Sequence, residues 1–71
     1  MLNNFEYWND RLNTIELDVL YKNCTPRLLG YRLGYFSSSI SYEYYNGNLT
    51  KYEYERLYKR SEEIYIEVES K

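Results

Sequence analysis

Three kinds of residue in this chain carry chemistry: eleven tyrosines, one thiol at Cys24, and carboxylates that gather toward the carboxyl end. A thiol becomes a nucleophile when a histidine or a nearby cation lowers its pKa. The chain has no histidine, and no cationic neighbour to Cys24 is evident, so the thiol reads as passive. The carboxylates Glu62, Glu63, Glu67 and Glu69, with Asp10, Glu16 and Asp18, could imitate a phosphate backbone in a basic groove. Lys59, Arg60 and Lys71 interrupt that charge, which favours a solvated face. The same acids have no recognised metal-loop spacing, and Gly30-xxx-Gly34 is not a phosphate cradle. The expectation is a chain that is not an enzyme, with no metal and no cofactor.

Tyrosine and arginine offer recognition instead. The ring gives broad rigid contact area, and the hydroxyl or guanidinium adds a directional hydrogen bond. Advancing 100° per residue along the middle of the chain puts Tyr31, Tyr35 and Tyr42 in one zone with Arg27, Arg32, Ser38 and Ser39, opposite the main apolar stripe. These tyrosines, with Arg27 and Arg32, are the candidate partner-binding residues. A second outward row, Tyr7, Asp10, Thr14, Leu17 and Tyr21, nominates Leu17 and Tyr21 for self-association into a homodimer.

The elements that must hold these residues are three helices. Phe5, Trp8, Leu12, Ile15 and Val19 recur at alternating spacings of three and four, predicting a helix over about 4–21, capped by Asn3 or Asn4 with Glu6 in its first turn. Asn23-Cys24-Thr25-Pro26 interrupts it. Pro26 suits the first position of a second helix, with Thr25 as cap. Leu29, Leu33, Phe36, Ile40 and Tyr44 carry that helix over 26–45, where Asn46-Gly47 closes it. Thr50 and Glu53 form a capping-box pattern, and Leu49 with Tyr54 a hydrophobic staple. They open a third helix over 51–69, with Tyr54, Leu57, Ser61, Ile64, Tyr65 and Val68 on one stripe. Beside the apolar stripe of the second helix runs a ridge of small residues, Gly30, Gly34, Ser37 and Ser41, which predicts close helix packing inside the bundle.

An α+β alternative exists. Ile40 to Tyr45 and Thr50 to Glu55 alternate like strands around the Asn46-Gly47 turn, and a Tyr-rich hairpin would use them. The capping box, the proline start and the long periodic stripes agree with one another and favour an all-α three-helix bundle in which Tyr44, Tyr54 and Tyr65 belong to the core.

At 71 residues the chain reads as one domain, 1–71, with a small core that oligomerisation would help. Its 11 acidic and 9 basic residues give a net charge of −2, too balanced for affinity built on phosphate neutralisation. A single cysteine allows no internal disulfide and fits a reducing compartment. No apolar run approaches the ~18 residues of a membrane span, and the amino terminus lacks signal-peptide character, so a cytoplasmic protein is expected. Tyr is abundant, with Asn and Lys plentiful, and AT-rich codons specify these residues and Ile, so the bias points to an AT-rich coding sequence.

Two functional expectations follow. The helices around Asn46 to Leu49 could form a helix-turn-helix DNA-binding regulator, with Lys51, Arg56, Lys59 and Arg60 on the reading helix. Glu53, Glu55, Glu62 and Glu63 sit among those cations and would repel phosphate. The segment Tyr42-Glu43-Tyr44-Tyr45-Asn46-Gly47, leading into Leu49-Thr50-Lys51-Tyr52-Glu53-Tyr54, resembles small phage and prophage proteins of low-GC bacteria that join two helices through an Asn-Gly linker. That resemblance covers the second half of the chain. It implies a host-directed protein, inhibiting or modulating a host protein or complex in the host cytoplasm, an anti-CRISPR inhibitor being one form. It assigns no individual residue a role.

Overall fold

The structure, a computed structural model, describes residues 3–21 and 24–69, with side chains through residue 67. It contains three helices, α1 (Asn4–Leu20), α2 (Pro26–Tyr45) and α3 (Lys51–Glu69), and no strand among the described residues. The Tyr-rich hairpin is therefore replaced by helix on both sides of the turn. Asn23 of the first loop and the side chain of Val68 lie outside the described residues.

Each helix begins on a side-chain cap. Asn3 accepts from the Glu6 amide at 2.8 Å while Glu6 reaches back to the Asn3 amide, a reciprocal pair that satisfies two otherwise unpaired donors. Thr25 accepts from the Leu28 amide at 3.1 Å, with Pro26 in the first helical position. Thr50 and Glu53 form the second reciprocal box at 3.1 and 2.9 Å. At the close of α2, Gly47 takes φ +76°, a conformation that suits glycine best. The Asn48 amide bonds to the Glu43 carbonyl and the Gly47 amide to that of Tyr44, the paired bonds of a Schellman stop. α1 ends at Leu20, with Tyr21 as its cap residue.

The core is a single cluster of Leu12, Ile15, Leu29, Leu33, Phe36, Ile40, Leu49, Leu57 and Ile64, with Phe5, Trp8, Val19, Cys24 and Tyr54 packed against it. These are the stripes read from periodicity, and Leu49 and Tyr54 join the core on either side of the Thr50 cap. α2 and α3 form an antiparallel hairpin. Near the turn Ser41 meets the Tyr54 hydroxyl at 3.3 Å and the Tyr44 and Tyr54 rings stack at 5.0 Å, while far from it Gly30 faces the Tyr65 region. α1 lies antiparallel to α2, with Trp8 edge-on to Phe36 and Asp18 on Arg32. It runs parallel to α3, pairing Phe5 with Arg56 and Asn13 with Arg60. The resulting body measures 36 × 22 × 16 Å.

Two expectations about packing fail. Tyr44 and Tyr65 are 38% and 39% exposed: Tyr44 stands at the last turn of α2, stacked on Tyr54, and Tyr65 borders an open trough beside Gly30 and Gly34. The glycine end of the small-residue ridge does not bring α3 close, although Ser41 at its other end meets Tyr54. A Cβ built on Gly30 or on Gly34 would meet nothing within 4 Å. Both glycines instead border an open trough of about 450 Å³ walled by Leu33, Tyr58, Ser61 and Ile66.

Candidate partner-binding surface

The predicted strip on α2 faces outward. Tyr31, Tyr35 and Tyr42 are 68%, 69% and 68% exposed, and none of their hydroxyls has a hydrogen-bond partner among the described residues. Their positions follow from α2's geometry. Leu29, Leu33, Phe36 and Ile40 take the buried side, and residues two positions away on a helix are rotated by about 160°. Arg27 is also exposed and unpaired among the described residues.

Arg32 behaves differently. It turns toward α1 and donates to Asp18 at 2.5 Å, both side chains being about one-third exposed. The bond to Asp18 raises the guanidinium's pKa, partial burial opposes the rise, and Cys24 adds a smaller upward contribution. A raised cation pKa contributes stability that is lost only as pH climbs through it. That region lies beyond neutral pH, so this cation stays charged. Arg32 thus links two helices and is not a free anchor for a partner.

The helical spacing alone gave no sign of the groove between α1 and α2. About 310 Å³ in volume, it is lined by Trp8, Arg11, Thr14 and Ile15 from α1 and by Tyr31, Arg32, Tyr35 and Phe36 from α2. A second hollow of about 280 Å³ adjoins it, sharing Trp8 and Tyr35 and continuing along Ser38, Ser39, Tyr42 and Glu43. Tyr31 and Tyr35 thus form one wall, and the edges of three core residues, Trp8, Ile15 and Phe36, form the floor. Arg11 has no hydrogen bond or ion pair among the described residues. It stands three positions after Trp8 and four before Ile15, at the border of the α1 stripe. That position is the sequence signal that it borders the groove.

Two of the four cations assigned to a DNA-reading helix, Arg56 and Arg60, are engaged within the chain. Arg60 donates to Asn9 at 2.7 Å, to Asn13 at 2.5 Å and to Glu16 at 3.2 Å, all on α1. Arg56 lies over the Phe5 ring at 5.5 Å and the Tyr52 ring at 5.7 Å. Lys51 and Lys59 remain exposed.

Leu17 and Tyr21, the self-association candidates, are half and nearly three-quarters exposed on the outer side of α1. Cys24 is half-buried, its thiol points to the Thr25 carbonyl at 3.6 Å, and Arg32 is a cationic neighbour that the sequence did not reveal. Among the described residues no three or more His, Cys, Asp or Glu side chains converge as a metal site, and no helix is long and apolar enough to cross a membrane.

Comparison with models of known protein families gave no match. Comparisons with curated proteins and with solved structures gave none either.

Proposed function

We propose that this chain is a binding protein, not a catalyst, which engages another protein through the Tyr31, Tyr35 and Tyr42 strip and the adjoining α1–α2 groove. The observation that carries the reading is the combination of three outward tyrosines having unused hydroxyls with an open apolar groove beside them. Large exposed rings around a concave apolar floor are the composition of interface centres. The phage-type resemblance supplies the biological form. The partner is a host protein or complex, and the outcome is its inhibition or modulation, as an anti-CRISPR protein or another anti-defence protein would act.

The regulator alternative is weaker, because Arg56 and Arg60 are occupied within the chain. Arg27 is an auxiliary contact at the end of the strip. Leu17 and Tyr21 offer a separate outer face through which two copies associate.

Affinity capture with the intact chain from a low-GC bacterial lysate, followed by binding measurements on the recovered protein, tests the reading. Tyr31→Ala and Tyr35→Ala are expected to weaken binding by about 2 kcal/mol per true hot spot, with helix content unchanged. Undiminished binding by both variants moves the interface elsewhere. Recovery of nucleic acid in place of a protein favours the regulator.

A further inference from the structure

We propose that the α1–α2 groove receives an acidic amphipathic segment of the partner protein, with apolar side chains on Trp8, Ile15 and Phe36 and a carboxylate on Arg11. This rests on the binding role argued above and specifies the chemistry of the occupant. The argument comes from the charges around the groove. The chain as a whole is acidic, at −2, yet the walls of the main hollow contain no unpaired acid. Arg32 is neutralised by Asp18, which leaves the unpaired guanidinium of Arg11 as the net charge of that hollow. The Tyr31 and Tyr35 hydroxyls and the Trp8 indole N–H are likewise uncommitted among the described residues. An occupant rich in acceptors satisfies them, whereas a basic one would bury Arg11 against like charge.

The far end differs, since Glu43, half-buried and with no side-chain partner among the described residues, lines the second hollow. The polarity along the groove therefore runs from Arg11 to Glu43 and sets the direction of the segment, with its acidic end over Arg11. From Tyr31 to Tyr42 the strip extends about 16 Å along α2 at 1.5 Å per residue, a length that a helix of about three turns covers with anchors at i, i+4, i+7 and i+11. The volume of about 310 Å³ is at the lower limit of small-molecule pockets, roughly 300–1,000 Å³, and the groove is open along its side. It suits a few inserted side chains of a longer segment.

The test selects from a displayed library of random peptides of about 15 residues on the intact chain. Counter-selection uses the Tyr31→Ala/Tyr35→Ala double variant, and binding of each recovered peptide is followed by the emission of Trp8, the only tryptophan. The expected binders combine spaced apolar residues with Asp or Glu, and they lose about tenfold in affinity on Arg11→Gln or when their own acid is changed to its amide. Circular dichroism confirms that the Arg11→Gln variant is folded. Neutral or basic binders, or binders indifferent to Arg11→Gln, overturn the acidic occupant while leaving the groove as the binding site. Failure to recover any peptide dependent on Tyr31 and Tyr35 overturns both. A dimer in sedimentation that Arg11→Glu dissociates makes a second copy the occupant, and a single-stranded oligonucleotide that shifts Trp8 emission more strongly than the peptides makes it a nucleic acid. Either result also overturns the inference.

Discussion

The Arg32 guanidinium of α2 and the Asp18 carboxylate of α1 meet at 2.5 Å, joining the end of one helix to the beginning of the next across the loop that connects them. A pair about one-third exposed is partly screened by solvent, and its coupling is expected near 1 kcal/mol. Urea denaturation of Asp18→Asn, Arg32→Gln and the double variant measures it. Strictly additive losses would mean that the pair contributes nothing beyond its separate contacts.

Arg60 holds α1 on α3 through a fork of donors to Asn9, Asn13 and Glu16. Arg60→Ala is expected to cost about 2 kcal/mol, since several charge-assisted bonds are lost and the amide acceptors keep only solvent. Arg60→Lys should recover less than half of that, because an ammonium cannot span three acceptors as a planar fork does. Thermal melts give the magnitude. Amide exchange gives the location, with faster exchange in α1 than in the α2–α3 hairpin. A uniform change over all three helices would contradict this assignment.

Gly30 and Gly34 stand in the middle of α2 with open space where a Cβ would project. Alanine at either position is expected to stabilise the protein by up to about 1 kcal/mol, through helix propensity and the loss of unfolded-state freedom. A fall in melting temperature for either variant would show that another helix needs the space.

Thr25→Ala and Thr50→Ala each remove a side-chain acceptor from a helix start. A loss of about 1 kcal/mol is expected for each in chemical denaturation. Glu53→Ala should be partly non-additive with Thr50→Ala, because the two side chains complete one reciprocal box. Full additivity would mean that the two bonds act independently.

What the sequence disclosed and what it withheld divide along a physical line. The cap at Thr25, the box at Thr50 and Glu53 and the stop at Gly47 involve residues within five positions of one another, so linear spacing contains them. The outward strip of Tyr31, Tyr35 and Tyr42 follows from rotation about a single helix axis. The bonds Arg60 makes to α1 and the groove beside Trp8 depend on how one helix is rotated and placed against another, which no single periodicity specifies. The same gap explains Tyr44 and Tyr65. Periodicity places them on the inward stripe, but not which part of that stripe a neighbouring helix covers. Gly30 and Gly34 show the limit from another side, since small residues permit close approach without causing it.

The side chains of Tyr31, Tyr35 and Tyr42 make no ring stack or hydrogen bond among the described residues, while Leu33, Phe36 and Ile40 are interleaved with them along the same helix and hold it together. The proposed recognition surface and the folding surface thus lie on alternate sides of one segment. Selection for a new target can change the outer letters one at a time without passing through unfolded intermediates, whereas the inner letters tolerate few changes. The two sides of α2 are free to evolve at different rates.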